Sequence, residues 1–332
     1  MNIRFAVIGT SKITRQFLAA AMQDERFSLH AIYSRKLSSA IEFSQDFPAL
    51  EVFDDLTLLA ECENVDAVYI ASPNSCHAKQ AILMMKNGKH VLCEKPVAVT
   101  SEELNLMVAT AKKYNVCLME AMLSTFLPNF LQVQKACTQI GVLRKFTASF
   151  CQYSSRYPKY LKGENTNTFN LEFANGSLVD IGIYPLYVAI SLFGKPDNAQ
   201  SQCNKLSSGV DGCGDILLSY KDAFQLQAVI SHSKVSSGEN IGEVQGELGR
   251  VVWHHSSLFN EVKIIFNTGE EQELTLPQNE NRMAYECRHF FDLLAQNTNE
   301  SPINTWQLSA DVLKTLESVR KQQNIIYPND LL

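Results

Sequence analysis

A chain of 332 residues, 45% hydrophobic and 19% charged, is long enough for two ordinary cores and too apolar for extended disorder. Its 29 Lys and Arg against 35 Asp and Glu leave a formal charge of -6 and no long basic run, which argues against nucleic acid as a partner. Nine scattered cysteines form no C-x-x-C pair, so they are expected as reduced, mostly buried thiols of a cytoplasmic protein, with no metal site.

The opening MNIRFAVIG enters a strand pattern directly, without the apolar core of a signal peptide, and no stretch reads as the ~20 apolar residues of a membrane span. Short apolar runs at Phe5–Ile8, Leu29–Tyr33, Val65–Ala71, His90–Cys93 and Val116–Met119 alternate with helical patterns, the signature of βαβ units around a parallel sheet. Ser101 reads as the N-cap of one helix, and Asn87-Gly88 as the end of the preceding one. This region, residues 1–121, is expected to be a dinucleotide-binding Rossmann domain.

A helix over Asn129–Ile140 precedes a change of period, because Phe146, Ala148 and Phe150 alternate with more polar neighbours through Lys145–Tyr153. Further strands are predicted at Asp215–Tyr220, Phe224–Ser231, Arg250–Trp253, Val262–Phe266 and Glu273–Leu276, with a hairpin turn at Asn267-Thr268-Gly269. Two helices follow, Met283–Gln296 and Leu308–Gln322, the second with Leu308, Val312, Leu316 and Val319 at helical spacing. Residues 122–332 are therefore expected to form an α+β domain around a large, open, predominantly antiparallel sheet, with the last helix able to pack back on the first domain.

The segment Gly9-Thr10-Ser11-Lys12-Ile13-Thr14 follows the first strand and opens a helix, where a Rossmann fold seats a pyrophosphate. Ser11 and Thr14 stand where the G-x-G-x-x-G fingerprint has glycines, so the segment alone is equally readable as a tight strand-to-helix turn. At the end of the second strand, Ser34-Arg35-Lys36 replaces the carboxylate that bonds a ribose 2′-hydroxyl in NAD enzymes. Arg35 is read either as a clamp for the 2′-phosphate of NADP or as a solvated loop charge, and its offset of about 25 positions from Gly9 suits the clamp.

Three further pieces, Ala71-Ser72-Pro73-Asn74 with His77, His90-Val91-Leu92-Cys93-Glu94-Lys95-Pro96, and Asp180-Ile181-Gly182-Ile183-Tyr184, resemble the Gfo/Idh/MocA family. That group contains glucose-fructose oxidoreductase and inositol dehydrogenase. Leu118-Met119-Glu120-Ala121-Met122 is similar to its dimeric dihydrodiol dehydrogenase and xylose dehydrogenase branch. The resemblance implies that Glu94, Lys95 and Pro96 end the fifth strand beside a nicotinamide, with Lys95 touching both cofactor and reacting oxygen and Pro96 in cis linkage. It implies that Pro73 and Asn74, next to Ser72, line the nicotinamide ribose, and that Tyr184 holds the proton-transfer position with Asp180 beside it. His77 falls in the same cofactor segment and reads as a helix-start or packing residue.

A dehydrogenase needs a partner for the carbinol proton, which gives a separate chemical reason for Lys95. Bland readings stand beside these: Lys95 as a surface cation next to Glu94, Asp180 as an N-cap, and Tyr184 as an amphipathic core residue. Leu123 and Thr125 depart from the aromatic and basic residues common after Glu-Ala-Met in that branch, so its substrate contacts do not transfer. The expectation is an NADP-dependent oxidoreductase, NAD remaining open, acting on a small polyol, sugar or diol as a homodimer. The alternatives are a non-catalytic dinucleotide-binding regulator and a reductase of an imine or non-sugar carbonyl.

Overall fold

The computed structural model describes residues 2–221 and 225–331. Six parallel strands, β1 (Ile3–Ile8), β2 (Phe27–Tyr33), β3 (Glu51–Phe53), β4 (Ala67–Ile70), β5 (His90–Glu94) and β6 (Leu118–Ala121), lie in the order β3-β2-β1-β4-β5-β6. Helices α1 (Lys12–Ala21), α2 (Leu37–Asp46), α3 (Leu56–Glu61), α4 (His77–Lys86) and α5 (Ser101–Tyr114) make the crossovers. β1, β4 and β5 bury nearly every side chain, as strands covered on both faces must, and so they appear in the sequence as unbroken apolar runs. Thr100, not Ser101, caps α5: its hydroxyl accepts the Glu103 amide at 3.2 Å, and the Glu103 carboxylate accepts the Val99 amide at 2.9 Å. Asn87 ends α4 as expected, and Gly88 follows at φ 76°.

Beyond Leu123 come α6 (Pro128–Cys137), β7 (Leu143–Cys151), α7 (Tyr157–Leu161), a π-helical turn at Leu178–Gly182 and α8 (Ile183–Phe193). Strands β8 (Asn198–Lys205), β9 (Asp211–Tyr220), β10 (Leu226–Ser233), β11 (Ile241–Gly246), β12 (Gly249–His254), β13 (Asn260–Phe266) and β14 (Glu271–Glu273) follow. With β7 they form one open sheet in the order β14-β13-β12-β11-β7-β10-β9-β8. Every neighbouring pair is antiparallel except β7 with β10, because β7 is inserted between two strands that are consecutive in the chain. The strand expected from Phe224 is β10, and Phe224 itself lies outside the described residues. The hairpin at Asn267-Thr268-Gly269 is present, with Gly269 at φ 89° donating to the Phe266 carbonyl at 2.9 Å. Phe146, Ala148 and Phe150 point into the core with Ile230, Val251 and Trp253, while the alternate positions face outward.

The last helices are α9 (Met283–Ala295) and α10 (Trp306–Gln322). Two compact units result: Met1–Leu123 with Asn279–Ser309, and Ser124–Gln278 with Ala310–Leu332. The second domain expected over 122–332 is thus not one continuous stretch. α9, rather than the last helix alone, returns to the first unit, where the Phe290 and Phe291 rings lie 6.0 and 5.5 Å from Phe5.

Two expectations about composition need correction. The stretch Leu171–Phe193 is long and apolar enough to cross a membrane, but 78% of its most apolar window is buried in the protein, which makes α8 a core helix. All nine cysteines are free thiols, but only Cys93, Cys117, Cys137 and Cys287 are buried, the other five being half-exposed. Burial pushes the Cys117 and Cys137 thiols up to about 12.

Candidate active site

The first unit reverses its strand order between β1 and β4, the position at which open α/β sheets receive ligands. The chain leaves β1 at Gly9 with φ +107°, and a Cβ there would lie 2.7 Å from the Ala71 carbonyl oxygen, so no other residue fits this turn. After Thr10, Ser11 precedes α1 in extended conformation, and no side chain caps the helix. The amides of the first turn, at Lys12 and Ile13, therefore present a partial positive charge suited to a pyrophosphate. Thr14, in place of the third glycine, is fully buried with its hydroxyl 3.5 Å from that of Ser11.

At the end of β2 the Ser34 amide donates to the Phe53 carbonyl at 3.1 Å, and the next residue, Arg35, is exposed with no ion pair among the described residues. At the end of β4 the Ser72 hydroxyl donates to Gln80 at 2.6 Å, and Pro73 leads into a 3₁₀ turn that starts at Asn74. His77 opens α4 with its ring buried between two loops, Nδ1 2.9 Å from the Pro96 carbonyl and Nε2 2.9 Å from the Ser72 carbonyl. A neutral ring donates to only one of these acceptors, and burial holds the imidazole below its usual range. The ring ties together the two loops that carry Asn74 and Lys95.

Lys95 is held on several sides. Its peptide bond to Pro96 is cis, as the resemblance implied. The Val97 amide donates to Glu120 Oε1 at 2.9 Å, and the other Glu120 oxygen accepts from Ser309 at 2.5 Å. The Lys95 amide donates to Glu94 Oε2 at 3.3 Å, while the buried Tyr69 hydroxyl donates to Glu94 Oε1 at 2.5 Å. The side chain of Lys95 is left half-exposed on a turn whose backbone is pinned by Glu120 and His77.

In the second unit, Asp180 lies within the π-helical turn Leu178–Gly182 and does not cap a helix; its carboxylate is paired with the Lys234 ammonium. Inserting a residue into a helical turn re-aims the side chains there and is common at functional sites. Tyr184 follows in the first turn of α8, half-buried, with its ring 5.6 Å from that of Phe150. Gly182 allows this turn to rest on His232, since a Cβ would come within 3.0 Å of that ring. His232 Nδ1 is 3.0 Å from the Ser177 hydroxyl and 3.7 Å from Asp211, whose carboxylate accepts the Leu178 amide at 2.6 Å. Desolvation pushes Asp211 up to about 6 and His232 down to about 4, so at no pH are both charged, and the contact is not an ion pair.

Of the residues singled out in the sequence, Gly9, Ser72, Pro73, Asn74, His77, Glu94 and Lys95 are assembled at the strand ends of the first unit, and Asp180 and Tyr184 share one helical segment of the second. Lys234, 54 positions from Asp180, has no motif to mark it as a site residue, and Glu120, although within the Leu118–Met122 segment, gives no sign in the sequence that it bonds the Val97 amide 23 positions away.

Residues 3–122 match the family model for oxidoreductases with an NAD-binding Rossmann fold, and residues 131–252 match the Gfo/Idh/MocA C-terminal domain. The chain belongs to the Gfo/Idh/MocA oxidoreductase family. It is 45% identical to scyllo-inositol 2-dehydrogenase (NADP(+)) IolU of Bacillus subtilis (strain 168), over 99% of both chains. It is 28% identical to the trans-1,2-dihydrobenzene-1,2-diol dehydrogenase of Mus musculus, again over 99% of both. Among solved structures, the 3-ketoreductase KijD10 of Actinomadura kijaniata in complex with NADP superposes with a TM-score of 0.82 at 25% identity, covering 97% of each chain. The chain is therefore an NAD(P)-dependent oxidoreductase with a Rossmann domain followed by a domain built on an open, mostly antiparallel sheet, as its sequence led us to expect.

Proposed function

We propose that this protein is an NADP(H)-dependent dehydrogenase acting on a CH–OH carbon of a small polyol, sugar or diol. Lys95 and Tyr184 handle the carbinol proton, and Asp180 orients the substrate. The observation that carries the reading is the 45% identity, over 99% of both chains, with an NADP-dependent inositol dehydrogenase, in a chain that has Lys95, Asp180 and Tyr184. Bound NADP(H) supplies or accepts the hydride. The uncapped start of α1 fits the pyrophosphate, and Arg35 fits the 2′-phosphate.

On the chain's side, Lys95 stabilises a developing alkoxide while Tyr184 exchanges the proton, and the Asp180–Lys234 pair keeps a carboxylate available for a substrate hydroxyl. Lys95→Ala and Tyr184→Phe are each expected to lower kcat by roughly 10²-fold or more with little change in NADPH affinity. Steady-state kinetics on scyllo-inositol and a panel of related polyols, beside thermal melts, is the measurement. Wild-type kcat in a well-folded Lys95→Ala variant would end the assignment, and turnover of imines but of no polyol would move the enzyme to a different substrate class.

The nine free thiols support a reducing, cytoplasmic setting. A homodimer through the outer face of the large sheet fits the apolar pair Leu217 and Val229, cross-strand neighbours on β9 and β10, with Thr147 beside them on β7.

A further inference from the structure

Glu286 enters the interior of the first unit from the first turn of α9, and its side chain is buried with neither carboxyl oxygen hydrogen-bonded to a donor among the described residues. A buried polar group without a partner is rare and requires a reason. The titratable groups that reach it are Glu94 at the end of β5, Tyr69 on β4 and Cys287 beside it on α9. All are buried, and Tyr69 is stacked on Phe17 at 3.7 Å between ring centroids. Desolvation first, and the Glu94 charge second, hold the Glu286 carboxyl well above its usual range. A protonated carboxyl has one O–H to give.

Glu94 is the complementary group. An ionised carboxylate offers about four acceptor positions, and the bonds to it include one from the Tyr69 hydroxyl and one from the Lys95 amide. We propose that Glu286 is a neutral acid whose O–H donates to Glu94, so that the two carboxyls share one proton and, with Tyr69, fix the backbone from which Lys95 projects. Glu286 is then a positioning residue for Lys95: it acts through Glu94 and does not touch the substrate. An apolar side chain would fill the same space at lower cost but would take that O–H away from Glu94. The inference rests on the assignment of Lys95 given above.

The test uses the full-length protein in two variants. Glu286→Gln keeps a donor for Glu94, and Glu286→Leu removes it. Infrared difference spectra of wild type minus Glu286→Gln, taken near pH 8, should show a protonated-carboxyl C=O band that shifts on ¹³C-labelling of glutamate. Asp211, raised only to about 6, is ionised there and does not contribute. Absence of that band, or its persistence in Glu286→Gln, overturns the shared proton.

In kinetics, Glu286→Gln should keep kcat within a few-fold of wild type, whereas Glu286→Leu should lose on the order of 10-fold to 10²-fold, as expected for a displaced reacting group. NADPH affinity should be unchanged in both. Wild-type kcat in a folded Glu286→Leu, or an equal loss in both variants, overturns the positioning role. Normal turnover in Lys95→Ala would remove the assignment on which that role depends, and the infrared band would still decide the proton by itself.

Discussion

Arg35 stands exposed where a carboxylate would bond a ribose 2′-hydroxyl, and its planar guanidinium can grip two phosphate oxygens at once. Arg35→Asp is expected to weaken NADPH binding by at least about 10-fold, ~1.4 kcal/mol, while NADH binding improves. Nicotinamide fluorescence titrations measure both, and an equal change for the two cofactors would dismiss the clamp. Asp211 and His232 make a second case. Below pH 6.5 the unfolded chain protonates His232 whereas the native ring waits until about 4, so stability falls as pH drops through that window. Native Asp211, raised to about 6 from 3.8, holds a proton that the unfolded chain releases, so stability falls as pH rises from 3.8 to 6. The two slopes offset each other in the wild type. Asp211→Asn should therefore melt several degrees lower at pH 4.5 than at pH 6.5, relative to wild type, and His232→Asn should show the opposite trend between pH 4 and 6. Parallel curves for both variants would contradict the assigned shifts.

Elements were legible in the sequence where their neighbours impose a simple period. β1, β4 and β5 are apolar throughout because both faces are covered, and β7 alternates because one face is. β3, β8 and β11 were not legible: β3 has only three half-buried residues, and β8 has only Ala199 and Cys203 among polar side chains. β11 contains Gly242, required because a Cβ would run into the Trp253 ring. The Lys95 and Asp180 segments were legible because each is contiguous, whereas the partners that aim them, Glu120, Glu286 and Lys234, come from remote elements. The end of the chain shows the same dependence. Arg320, fully buried in α10, makes paired bonds of 2.7 and 2.6 Å to Asp330 and lies 4.5 Å from the Tyr327 ring centre. Arg320→Leu leaves the buried Asp330 carboxylate only the 3.4 Å contact with the more exposed Lys321 ammonium, at an expected cost of up to about 3–5 kcal/mol. Denaturant melts will read this, and a loss below about 1 kcal/mol would show that the pair can be rehydrated freely.

For the whole molecule, the outer face of the large sheet is the surface through which we propose that two copies pair. Leu217 is 43% exposed there, next to Val229, amid charged side chains that suit a contact made reversibly in water. Sedimentation at micromolar concentration should give a dimer, and Leu217→Glu with Val229→Glu should give a monomer that still binds NADPH; a wild-type monomer would discard the interface. The return of α9 to the first unit also has a consequence for how the protein is made. Phe5 emerges from the ribosome at the very start, but Phe290 and Phe291, which cover it, come only after the whole second sheet has been synthesised. At ~5–20 residues per second the roughly 155 residues from Ser124 to Gln278, which separate the two segments of this unit, take about 8–30 s. For that time the nucleotide-binding half is a nascent chain with an open aromatic seam, begun first and finished late, so a ribosome that stalls before residue 279 leaves behind a fragment for chaperones and proteases.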